Sequence, residues 1–116
     1  MTAPKQAAPL VCTLGAIPAK QRLAHIALAL KLFRWSSEGC EELENGYAFR
    51  FPAQAFDAVA RFVGNERRCC PAIRFEIVVG AANGPLELRM TGPEGTREFL
   101  AAELPLARAV RSRLGA

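Results

Sequence analysis

The chain has 116 residues, 51% of them apolar, a net charge of +4 and no long polar tract. A chain of that length forms one compact domain that buries about two thirds of its unfolded surface. Its charge bias is mild, with nine Arg against six acids in residues 59 to 116 and six bases against five acids before them, too weak to indicate nucleic acid.

Residues 1 to 8, rich in Ala, Pro, Lys and Gln, read as a disordered N-terminus, and residues 9 to 116 as one α+β domain. The short apolar run Leu10-Val11-Cys12-Thr13-Leu14, broken by Gly15 and Pro18, makes a poor export segment, and no apolar run approaches a bilayer span. A soluble cytoplasmic protein with no membrane partner is expected, and in it reduced thiols are the default.

Leu10 to Leu14 reads as a lead strand, with Leu10, Cys12 and Leu14 on one side, so Cys12 is expected to face the core. Pro18 suits the first turn of a helix running to about Arg34, in which Leu23, Ile26, Leu30 and Phe33 recur at helical spacing. His25 falls on the exposed or flanking side of that helix. Trp35 to Phe51 reads as a hairpin turning at Asn45-Gly46 in type I′ geometry, with an acidic, edge-like first strand (Glu38, Glu41, Glu42, Glu44) and a clear second strand (Tyr47, Phe49, Phe51).

Pro52 opens a second helix with Phe56, Val59, Ala60 and Val63 as its apolar stripe. It should end near Cys70, because a residue before proline is pushed out of the α region. A second hairpin joins Ile73 to Val79 through Asn83-Gly84 to Leu86, Leu88 and Met90. Thr91-Gly92-Pro93-Glu94 reads as a capping box opening a last helix through Phe99, Leu100 and Leu104, kinked at Pro105 and continuing through Leu106, Val110 and Leu114, with Arg108, Arg111 and Arg113 outside.

Helix, strand, Asn-Gly turn and strand thus occur twice, the two turns 38 residues apart. The pattern predicts a two-layer α+β sandwich: an antiparallel or mixed sheet of about five strands, led by one strand and closed by one helix, with helices on one face. The open face would carry Arg50, Arg74, Glu76, Glu87 and Arg89, or be covered by a second copy in a homodimer.

Glu66-Arg67-Arg68-Cys69-Cys70-Pro71 is the stretch whose chemistry exceeds what folding requires. Cys12, Cys40, Cys69 and Cys70 contain no CxxC or Cys/His pair, which disfavours zinc fingers, zinc ribbons, thioredoxin motifs and attached haem. Cys70 lies seven residues after Val63 and continues the buried stripe, while Cys69 turns to the flank. If Cys12 and Cys70 converge, Cys69, Cys70 and Cys12 offer a soft site for Zn(II), Cu(I), Hg(II) or As(III). Arg67 and Arg68 favour thiolates there, and the negative end of the helix dipole opposes them. Three readings stay open: a thiophilic metal or metalloid site, a noncatalytic dimeric module with cysteines as core filler, and a thiol oxidoreductase needing a low-pKa Cys69. No catalytic residue is assigned, and a non-enzyme is favoured.

Asn45-Gly46-Tyr47-Ala48-Phe49-Arg50-Phe51-Pro52, Glu66-Arg67-Arg68-Cys69-Cys70-Pro71 with Arg74-Phe75-Glu76, and Thr91-Gly92-Pro93-Glu94-Gly95 with Glu98-Phe99-Leu100 resemble a family of small uncharacterised bacterial proteins, over roughly residues 10 to 104. The resemblance implies no activity. Ala72, where that pattern carries a bulky aromatic, is a departure that opens space beside the thiols.

Overall fold

A computed structural model describes residues 9–35 and 39–103. The expectations for residues 1 to 8, for Glu38 and for the helix beyond Glu103, including Pro105 and the arginines after it, lie outside the described residues. Helix α1 spans Ala19–Trp35, strands β1 and β2 span Cys40–Leu43 and Gly46–Phe51, and α2 spans Phe56–Cys69. Strands β3 and β4 span Arg74–Val79 and Leu86–Thr91, and α3 spans Thr96–Glu103. The repeat survives as element order, and the fold is α+β, with a four-stranded antiparallel sheet among the described residues.

The sheet order is β1-β2-β4-β3, so the second strand of each hairpin lies in the middle. Register puts Tyr47 opposite Met90, Phe49 opposite Leu88 and Phe51 opposite Leu86, and all six are buried. Leu32, Val59, Phe62 and Leu100 from the three helices join them in one core. Across the strands from these residues, the same register gathers Arg50, Arg74, Glu76, Glu87 and Arg89, with Arg74–Glu76 and Arg89–Glu87 each 3.7 Å apart.

The expected lead strand is not formed: among the described residues, 10 to 13 belong to no strand, and Leu14–Ala16 forms a 3-10 turn. The cause lies in where the backbone groups go, since Thr13 N–H donates to Cys69 O at the end of α2, 2.8 Å away, and Val11 N–H to Pro9 O. The first hairpin turns at Glu44-Asn45, one residue earlier than expected, and Gly46 already pairs with Leu43 and Thr91. Gly46 has no positive φ; a Cβ there would run into the Met90 carbonyl, so close backbone approach is what requires glycine. In the second hairpin the left-handed residues are Ala82 and Asn83, φ 53° and 59°, not Asn83-Gly84. The capping box is also overturned: Thr91 ends β4, and α3 starts at Thr96, whose Oγ1 donates to Pro93 O at 2.6 Å.

Both longer helices are rotated from their expected faces. In α1 the residues turned inward are His25, Leu28, Ala29 and Leu32, whereas Leu23 is 81% and Leu30 50% exposed. Apolar residues run most of the way round α1, so periodicity alone does not select a face. In α2 the buried positions are Val59, Phe62, Glu66 and Cys69, with Phe56 and Ala60 exposed and Val63 half-buried. The observed α1 face makes a direct prediction for urea unfolding. Leu32→Ala should cost about 2–5 kcal/mol, and Leu23→Ala should stay within about 0.5 kcal/mol. Equal losses would contradict the inward face described here.

Candidate functional site

The end of α2 brings Cys69 and Cys70 against the lead segment. Pro71 cannot continue the helix, and Cys70 leaves it at φ −121°, ψ 74°, while its N–H still donates to Glu66 O at 2.9 Å. That departure turns the Cys70 side chain toward Cys12, and the two are joined in a disulfide with Cα atoms 4.5 Å apart. Convergence of Cys12 and Cys70 agrees with the sequence reading. The reduced state expected for them does not, because the pair is oxidised in this structure. Closing a loop 58 residues long stabilises the fold by about 4 kcal/mol in the chain-entropy description.

Cys69 and Cys40 are free. Cys69 sits in the buried stripe rather than on the flank, with Sγ 3.5 Å from Glu66 O and 3.9 Å from Cys70 Sγ. Burial, reinforced by Glu66, pushes its thiol up to about 11. Cys40, on β1, is pushed up to about 12 by burial and then Glu42. Neither thiol is activated at neutral pH, so the low-pKa Cys69 that an oxidoreductase would need is not what this environment produces.

Glu66 and His25, which the sequence reading did not place among the ligands, complete the cluster. Glu66 is buried four residues before Cys70 on α2, and its Oε1 lies 3.5 Å from Cys70 Sγ. A disulfide sulfur carries no proton, so this is a contact that becomes a hydrogen bond only on reduction. Glu66 Oε2 lies 2.7 Å from His25 Nε2, and the imidazole, 5% exposed, stacks on Phe62 with ring centroids 5.5 Å apart. Burial raises the Glu66 pKa, while the His25 hydrogen bond and charge pull it down. The placement of His25 on an exposed or flanking side is therefore corrected: it is the buried partner of a buried carboxyl. The usable signals were the Glu-x-x-Cys-Cys spacing, which stacks carboxyl and sulfur on one helical face, and the seven-residue interval from His25 to Leu32.

The Sγ atoms of Cys12 and Cys70 and a carboxylate oxygen of Glu66 all lie within 4.8 Å of one another. Cys69 stands beside this group of three rather than within it. Among the described residues, no helix is long and apolar enough to cross a membrane. Comparison of the chain with protein families, with curated proteins and with solved structures gives no match.

The thiol environments set a pH dependence. Cys69 has an ordinary value of 9.0 and a folded value of about 11, so between these the unfolded chain ionises first. Its contribution to stability is present below pH 9.0 and lost as pH rises toward 11. In the nonreduced native protein, iodoacetamide should label Cys69 far more slowly than an exposed thiol at pH 7, with a rate climbing steeply above pH 9. A rate already on its plateau at pH 7 would contradict the buried, neutral thiol.

Proposed function

We propose that the protein is a redox-gated thiol site that holds a soft or borderline metal cation in its reduced state, with Cys12, Cys70 and Glu66 as ligands and Cys69 in reach as a fourth. The observation that carries this reading is the approach of two sulfurs and a carboxylate oxygen to within 4.8 Å of one another, with Glu66 and Cys70 buried. Two-electron reduction by a dithiol breaks the Cys12–Cys70 bond and leaves two thiols, the dithiol becoming a disulfide. A divalent cation then replaces two thiol protons, which leave to solvent.

The spacing suits a tetrahedral centre. Two thiolates on one Zn(II), with Zn–S near 2.3 Å, stand about 3.8 Å apart, and Cys69 Sγ already lies 3.9 Å from Cys70 Sγ. A carboxylate oxygen among the donors favours Zn(II)-like cations over Cu(I), which prefers sulfur alone. His25, bound to Glu66, would orient that ligand from behind. Thr13, tied to Cys69 O, keeps the Cys12 segment beside the helix end after the bond opens. A reducing compartment such as the cytoplasm suits this function, and the same reading keeps the helices as one layer on the sheet.

Native mass spectrometry of anaerobic, reduced protein offered Zn(II), Cu(I), Hg(II) and As(III) tests the proposal. One equivalent of Zn(II) should bind the reduced form, fail to bind the disulfide form, and be lost in Cys12→Ser and Cys70→Ser. Cys69→Ser should weaken binding less than either. Uptake by the oxidised form, or unaltered uptake in the Cys12 and Cys70 variants, would sink the idea.

A further inference from the structure

We propose that the cleft between α1 and α2 binds a small oxyanion, a phosphate or carboxylate group, held by Arg61 and Arg68. The cleft measures about 350 Å³, inside the range of roughly 300–1,000 Å³ that ligand clefts occupy. It is built from one face of each helix. From α1 come Gln21, Ala24, His25 and Leu28, and from α2 come Arg61, Gly64, Asn65 and Arg68, each set at spacings of three, four and seven residues.

Its arginines are matched by no acid among the described residues. Arg61 and Arg68 stand at its α2 side, neither within ion-pair distance of a described acid, and no carboxylate is among the described residues lining it. Guanidinium groups present planar arrays of donors matched to carboxylate and phosphate oxygens. The Asn65 and Gln21 amides add neutral donors, and Gln21 lies in the first turn of α1, where the helix dipole favours negative charge.

His25 supplies the second, independent sign of an absent partner. Its Nε2 is committed to Glu66, but its Nδ1 is buried and has no hydrogen-bond partner, although the ring forms part of the cleft wall. A buried polar nitrogen without a partner costs stability. Gly64 points the same way. It lies inside α2, where glycine costs about 1 kcal/mol relative to alanine, and a Cβ there would meet nothing within 4 Å. Packing does not require glycine at this position; its absent side chain leaves the α2 side of the cleft bare.

The test uses the ¹⁵N-labelled full chain in its disulfide form, titrated with inorganic phosphate, with acetate and with chloride at one constant ionic strength. Phosphate should produce saturable shifts at the Gly64, Asn65 and Gln21 amides, weakened at least tenfold in Arg61→Gln/Arg68→Gln. Saturation by acetate in place of phosphate supports the site and identifies the carboxylate as its group. Gly64→Phe, which fills that side of the cleft from an open helical position, should abolish the shifts without lowering the thermal midpoint. Shifts reproduced by chloride alone, no saturation by either oxyanion, or unchanged affinity in the arginine variant would each overturn the proposal. Because the disulfide form is used, the result is independent of metal binding by the reduced thiols.

Discussion

A carboxyl placed on the inner face of a helix must be answered by partners, and the partners that Glu66 takes organise this end of the molecule. His25 reaches it from α1 at 2.7 Å, which fixes the face that α1 turns inward. Cys70 approaches it at 3.5 Å from the residue where α2 ends, and Cys12 arrives with Cys70. Removing one member of a buried hydrogen-bonded pair such as His25–Glu66 leaves the other unsatisfied, at a cost of about 1–3 kcal/mol. Three segments distant in the chain are therefore held by one carboxylate, two sulfurs and one imidazole.

The lead segment depends on the same point. Residues 10 to 13 could have extended the sheet, but Thr13 N–H is taken by Cys69 O and Cys12 is bonded to Cys70, so the segment lies against the end of α2. The sheet is left with four strands and two hairpins joined through β2 and β4. The segment expected to be a fifth strand instead lies beside the cluster of Cys12, Cys69 and Cys70.

Elements whose faces differ sharply in polarity were legible in the sequence. Tyr47, Phe49 and Phe51, and Leu86, Leu88 and Met90, alternate with small or charged residues, and each set is buried as alternation requires. The end of α2 was legible because Pro71 acts locally on Cys70. Helix rotation was not: α1 is apolar around most of its circumference, and its face is chosen by a polar contact, His25 to Glu66, across 41 residues. Turn position failed at both Asn-Gly dipeptides; at the first, Gly46 answers to the Met90 carbonyl, a constraint from the neighbouring strand. Of the site, Cys12 and Cys70 could be foreseen from parity. Glu66 looked like one more charged residue beside Arg67 and Arg68; its spacing to Cys70 placed it on the same helical face, but the partner that answers it, His25, lies 41 residues away.

The central claim is that breaking one disulfide converts a structural crosslink into a metal-ligand set containing both sulfur and oxygen. X-ray absorption spectroscopy of the anaerobically reduced protein, loaded with one equivalent of Zn(II), reads that set directly. The account predicts sulfur neighbours at about 2.3 Å together with at least one oxygen at about 2.0–2.2 Å, and loss of that sulfur shell in Cys12→Ser, which no longer holds the ion. A shell of oxygen and nitrogen alone, or a spectrum unchanged by Cys12→Ser, would contradict it.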